Sequence, residues 1–184
     1  APRAAEAGNN SLFYTLPSVM DDLTLKASYS PGSAGGPSAT AWHVGYSGVE
    51  GLSLDYAVGQ TETVGSEQEH TTMKASYAYS SFTVSYSNTE NAYDATSGTD
   101  EEVSSWNLAY TVSDDLSIAY GTETIETEGT TTDEEVDKFN VSYTTGGVTL
   151  SASQFNASGV GNTTTEAHNT GDKDRWSLSA TFAF

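Results

Sequence analysis

The residues of this chain whose types could do chemistry are three histidines, His43, His70 and His168, set among 25 Asp and Glu and only 6 Lys and Arg. Their spacing does not assemble a catalyst. No His-Glu-x-x-His pair offers two imidazoles to a metal from one helix face, no Gly-x-Ser-x-Gly elbow exposes a nucleophile, and no glycine loop runs into Lys-Ser or Lys-Thr to hold phosphate. Cysteine is absent, which removes thiolate metal sites and disulfides. Carboxylate pairs are frequent, but a chain this acidic places them together by composition, so glycosidase chemistry does not follow from them. The sequence therefore reads as no enzyme.

What the charged residues can do without bond chemistry is select ions. The formal net charge is −19, which sets nucleic acid aside as a partner because phosphate contacts need clustered cations. Position matters more than the sum. Lys26, Lys74, Lys138 and Arg175 fall at the small-residue positions of alternating stretches, as do His43, Asp55 and Glu123. Arg3 and Lys173 read as loop residues. Glu62, Glu67, Glu69, Glu90, Asp94, Asp100, Glu101, Glu102, Glu126, Glu128, Asp133, Glu134, Glu166 and Asp172 read as members of long polar links. Those links are either ordinary solvated loops or a negative vestibule that concentrates cations, with divalent ions such as calcium able to bridge them.

The elements that must position these charges are strands. Apolar residues recur with period two almost everywhere and with helical spacing almost nowhere. The pattern predicts strands over 10–16, 23–31, 40–47, 52–60, 70–79, 82–89, 103–112, 116–126, 135–144, 148–156 and 174–184. Short links such as "SS" (80–81) and "SDD" (113–115) alternate with long ones over 32–39, 61–69, 90–102, 127–134 and 157–173. After the short links come similar entries, "LTLKASY", "LSLDYAV", "FTVSYSN", "LSIAYGT" and "VTLSASQ". The result is a hairpin repeat of about 30 residues, tight at one end and loose at the other. The leucine ladders and Gly-Asp turns of a solenoid are missing.

The two faces differ in kind. In 106–112 one carries Trp106, Leu108, Tyr110 and Val112, the other Asn107, Ala109 and Thr111. The last stretch, "DRWSLSATFAF", sets Trp176, Leu178, Ala180, Phe182 and Phe184 against Arg175, Ser177, Ser179 and Thr181. Phe13 and Phe155 break the pattern. An apolar face opposite a small hydroxylic one is expected of an antiparallel transmembrane β-barrel with a wet lumen, and in lipid a sheet must close on itself. Tyr46, Tyr79, Phe82, Tyr110, Tyr143 and Phe184 fall near short turns or the chain end, whereas Trp42, Trp106 and Trp176 read as the opposite strand ends. These are two aromatic girdles. A soluble β-sandwich also alternates, but faces this rich in Tyr fill a shared core poorly.

The terminal "RWSLSATFAF", hairpins such as "LAYTVSDDLSIAYGTE" and "LTLKASYSPG", and the acidic links together resemble the general bacterial porins, trimeric outer-membrane channels of Gram-negative bacteria. The resemblance covers the chain from about Asn10 onward. It implies an all-β barrel of sixteen strands, passive diffusion of small hydrophilic solutes and ions, a homotrimer embedded in outer-membrane lipid and lipopolysaccharide, and a terminal Phe184 anchored at the periplasmic boundary. It also implies a basic wall facing a constriction loop. Lys26 and Lys74 suit that wall by their mid-strand positions, with Arg3 within reach if residues 1–10 are the end of that loop. Lys138 and Arg175 lie closer to strand ends, where ion pairs with Glu135 or Asp172 account for them equally well.

Eleven strands depart from the family's even count. The expectation is a C-terminal portion, residues 11–184 forming strands and an N-terminal porin segment lying in another chain. A small complete barrel of roughly ten or twelve strands is the alternative. The start "APRAAEAGNN" has no apolar run and is read as no signal sequence. A barrel or surface β-protein with a structural or adhesive role is the alternative to a channel.

Overall fold

In a computed structural model the described residues are 11–17, 20–32, 36–63, 65–94, 98–162 and 171–182. They form β1 (Leu12–Thr15), β2 (Leu23–Ser30), β3 (Ser38–Tyr46), β4 (Leu52–Thr63), β5 (Ser66–Tyr79), β6 (Phe82–Tyr93), β7 (Glu101–Ser113), β8 (Leu116–Thr127), β9 (Glu134–Thr145), β10 (Val148–Val160) and β11 (Gly171–Phe182). Each expected strand is present, and the strands pair in chain order from β1 to β11. Residues 1–10, which carry the loop assignment and Arg3, lie outside the described residues, as do Phe184 and His168.

Contacts divide the chain into two compact units, one of residues 1–76 and 87–103, the other of 77–86 and 104–184. In the first, β2 pairs antiparallel with β3 from Leu23↔Tyr46 to Ser30↔Ala39, and β3 with β4 from Ser38↔Glu62 to Tyr46↔Leu54. In the second, β9 pairs with β10 from Val148↔Thr145 to Ser158↔Glu135, and β10 with β11 from Val148↔Phe182 onward. Gly146 and Gly147 join β9 to β10 with φ of 55° and 79°, the left-handed pair that a two-residue hairpin of the right twist requires. Turns are also tied sideways to neighbouring strands: Thr111 N donates to Ser81 O at 2.8 Å, and Thr144 N to Asp115 O at 2.8 Å.

Several long links are shorter than the sequence suggests. The stretch 61–69 is a tight hairpin, with β4 running to Thr63, β5 starting at Ser66 and Gly65 turning at φ 82°. Glu62, Glu67, Glu69, Glu90, Glu101, Glu102, Glu126, Glu134 and Asp172 are therefore strand residues, and so is Lys173. Cross-strand polar pairs carry the ladder outward: Gln60 Nε2 donates to Glu67 Oε1 at 3.0 Å, Gln68 Nε2 to the Tyr93 hydroxyl at 2.6 Å, and Asn88 Nδ2 to Glu102 Oε1 at 2.6 Å. His70 and Asn91 hydrogen-bond between β5 and β6. Polar residues that read as loop become strand when each finds its partner across the ladder.

There is almost no core. Among the described residues the buried side chains are Ala39, Ala57, Ala157 and Thr72. Large apolar groups stand in the open, with Trp176 78%, Tyr79 70% and Leu178 70% exposed. An apolar surface on this scale is not stable against water and calls for lipid or another chain over it.

Candidate functional site

Alternation sorts the strand residues onto two faces, and the registers fix which residues share each. On the apolar face Trp42 meets Tyr56 (ring centroids 5.3 Å apart), Trp106 meets Tyr120 edge-on (5.5 Å), and Phe82 stacks on Tyr110 (4.4 Å). The tryptophans do not lie at strand ends. Trp42, Trp106 and Trp176 sit mid-strand, because the strands continue past them with Thr40, Ser104 and Asp174 on the same face. They mark the edge of an apolar band rather than the end of the sheet. From Trp106 to Val112 that band runs about 20 Å along the strand. Tyr46, Tyr79, Phe82, Tyr110 and Tyr143 take its turn-proximal edge.

The hydroxylic face gathers the candidate site. In the first unit Lys26 lies opposite His43, and Gly45 opposite Asp55. His43 reaches diagonally over Gly45 so that its Nε2 comes 2.8 Å from Asp55 Oδ1. A Cβ on Gly45 would stand 3.1 Å from His43 Cε1 and 3.2 Å from Asp55 Oδ1, so the glycine is what keeps that diagonal clear. His43 is 24% and Asp55 42% exposed at the side chain. Lys26, His43, Asp55 and Lys74 line one open concavity of about 440 Å³ with Phe13, Thr15 and Thr72. Four of the expected residues are thus brought together.

In the second unit Lys138 and Arg175 lie on the same kind of face, flanking β10, and Glu123 is opposite Val136. The expected ion pairs with Glu135 and Asp172 do not form. Glu135 and Asp172 are each three residues from the cation in question, an odd step that puts them on the other side of the sheet. Among the described residues the one ion pair is His43–Asp55, so Lys26, Lys74, Lys138, Lys173 and Arg175 have no carboxylate partner. All five occupy hydroxylic-face positions. Strand acids go mostly the other way: Glu62, Glu67, Glu69, Glu90, Glu102, Glu126, Glu135, Asp137, Asp172 and Asp174 share parity with the apolar face, and Asp55, Glu101, Glu123 and Glu134 with the hydroxylic one. Among the described residues no group of three His, Asp or Glu converges as a metal site.

Phe13 and Phe155, which break the apolar-against-small pattern in the sequence, do so in the sheet as well. Phe13 lies opposite Ser28, and Phe155 opposite both Lys138 and Arg175. The backbone alternation continues through each, and each ring is turned to the hydroxylic side.

An all-β chain with paired strands, an aromatic-edged apolar face and a charged hydroxylic face is an outer-membrane β-barrel protein. The comparisons make the class specific. A family profile described as Gram-negative porin matches residues 3–144, and the chain belongs to that family. Among solved structures it is similar to an anion-selective porin from Comamonas acidovorans, at 14% identity and a TM-score of 0.67, covering 86% of this chain and 52% of that one. It is also similar to the trimer form of OmpT, an outer-membrane protein of Vibrio cholerae, at 15% identity and a TM-score of 0.68, covering 94% and 64%. The chain therefore spans between about half and two thirds of these two solved structures. No curated relative matches by sequence. As a Gram-negative porin it resides in the outer membrane.

Proposed function

We propose that the chain forms part of the wall of a water-filled pore through which small hydrophilic solutes and ions diffuse passively, with the hydroxylic face turned to the lumen. The observation that carries this reading is the placement of the cations. In a chain of net charge −19, the five described Lys and Arg have no carboxylate partner among the described residues and are on the hydroxylic side. Unpaired cations on a wet face attract anions, and no chemical step is needed. The wall accordingly favours anions over cations, the property stated in the name of the Comamonas acidovorans porin.

In the same reading the apolar face meets outer-membrane lipid, with the aromatic rows as girdles. The working unit is a homotrimer, the form named for the Vibrio cholerae protein. A further porin segment completes the barrel, in keeping with the share of the matched chains that is covered.

The test is single-channel recording of the native assembly in a planar bilayer, with reversal potential in a salt gradient. Large steps closing in threes, with an anion-signed reversal potential, are expected. Folded, heat-modifiable protein that inserts without conducting would leave a structural barrel instead.

A further inference from the structure

On a face made mostly of small and polar residues, an aromatic ring between two cations that have no carboxylate partner among the described residues stands out. Phe155 on β10 lies directly opposite Lys138 on β9 and directly opposite Arg175 on β11. Directly opposed side chains start about 5 Å apart at Cβ, so the three stand in one row about 10 Å wide across three strands. Among the described residues the Phe155 ring stacks on no other ring, and neither cation has a carboxylate partner.

The surroundings leave the row open. Lys138 is opposite Gly121 on its other side, so no side chain crowds it from that position. One step toward the turns, Asn140, Ser153 and Ser177 form a row of small polar groups, with Ser153 and Ser177 hydrogen-bonded to each other at 2.7 Å. One step the other way, Val136, Ala157 and Lys173 follow, and Lys173 adds a third cation. Glu123, opposite Val136, is the nearest strand acid on this face. It is diagonal to Lys138, about 8 Å away across one strand pair, and three strands and two residues from Arg175, about 16 Å away.

We propose that Lys138, Phe155 and Arg175 form a subsite for small aromatic carboxylates, the Arg175 guanidinium taking the carboxylate and the Phe155 ring the arene. The planar fork of a guanidinium matches a carboxylate with two parallel hydrogen bonds, which an ammonium cannot do. The arene lies against Phe155, and the Lys138 ammonium reaches its outer edge or a second anionic substituent. An inorganic anion would use the cations and leave the ring idle. A neutral arene would use the ring and leave both charges unanswered. The concavity of the first unit is less suited to this ligand, since Asp55 stands inside it.

The subsite rests on the channel reading of this face, and the two are tested by different readouts. For the subsite, 4-fluorobenzoate is titrated into the detergent-solubilised full chain at low salt and followed by fluorine NMR, with benzoate, cyclohexanecarboxylate and acetate as competitors. Benzoate should compete about threefold to tenfold better than cyclohexanecarboxylate, the range of an aromatic contact beside a cation, and better still than acetate. Phe155→Leu should erase the preference for the arene, while Arg175→Gln should weaken all three acids. If Phe155→Leu does not fold, as judged by heat-modifiable migration, the wild-type order of competitors and Arg175→Lys decide alone. Equal competition by acetate and benzoate, or an unchanged order in Phe155→Leu, overturns the subsite. A conducting channel without benzoate preference removes the subsite and keeps the pore. Benzoate preference in a protein that gives no conductance keeps the subsite and removes the pore.

Discussion

His43 Nε2 and Asp55 Oδ1 meet at 2.8 Å along a diagonal that Gly45 holds open between β3 and β4. The contact places the acid of this concavity on a histidine and leaves Lys26 and Lys74, which line the same space, without a carboxylate partner among the described residues. Charge here should be tunable in both directions. Asp55→Asn removes the negative member and should move the reversal potential toward anions. Lys26→Glu should move it toward cations. Both residues are partly exposed strand positions, so folding should survive. Shifts of the same sign in the two variants would show that this concavity does not face the permeating ions.

Gly159 is expected to be the least replaceable residue of β10. Its φ is +65°, and a Cβ there would fall 2.1 Å from the Asp133 carbonyl oxygen, which is backbone and cannot step aside. The register slips between Ala157 and Val160 at the same point. The segment is also pinned by Gly161 N donating to Glu134 Oε1 at 2.9 Å and Asn162 Nδ2 to Thr132 O at 3.1 Å. Gly159→Ala should cost about 1–3 kcal/mol from the left-handed backbone and the clash. Ser158→Ala beside it should cost little. Urea unfolding of the refolded protein in detergent measures both.

The hairpin of β4 and β5 should behave as sheet well beyond the apolar band. Gln60 spans to Glu67 at 3.0 Å and to Glu69 at 3.3 Å, and Thr72 pairs with Thr89 at 3.2 Å. Asp94 N donates to Glu67 O at 3.0 Å and ties the end of β6 to the same strand. Amides from Gln68 to Thr72 should therefore exchange slowly, as ladder amides do. Exchange at loop rates over that range would return 61–69 to the long link that its composition suggests.

Where strands run was legible because alternation is a strong signal when one face is apolar and the other hydroxylic. Where they end was not. Past Trp42, Trp106 and Trp176 the apolar face itself turns polar, and the alternation fades although the ladder continues. Glu67, Asn91 and Glu102 look like loop residues until their partners Gln60, His70 and Asn88 are known, and those partners come from other strands. The hydroxylic-face candidates were legible by parity, and Lys26, His43, Asp55 and Lys74 line one concavity. Parity alone also separates Lys138 from Glu135. Phe13 and Phe155 stood out in the sequence as breaks in the pattern, and their registers show why: position in the alternation, and not residue type, decides the side.

Phe82 and Tyr110 stack at 4.4 Å with their planes 24° apart, close to the turn that carries Ser81 and accepts the Thr111 amide. Both rings are on the apolar face, where transfer to lipid stabilises an aliphatic side chain about as well as an aromatic one. Loss of the stack should therefore be separable from loss of hydrophobicity. Phe82→Leu and Tyr110→Leu should each destabilise the protein modestly, and together by less than the sum. The coupling in a double-mutant cycle should be about 0.5–1.5 kcal/mol, the usual worth of an aromatic pair beyond its area. As a control, Phe82→Leu and Trp176→Leu share no partner and should add. A coupling of zero between residues 82 and 110 would mean that lipid contacts replace the stack fully, and that the aromatic row near the turns serves the membrane boundary rather than the pairing of β6 and β7.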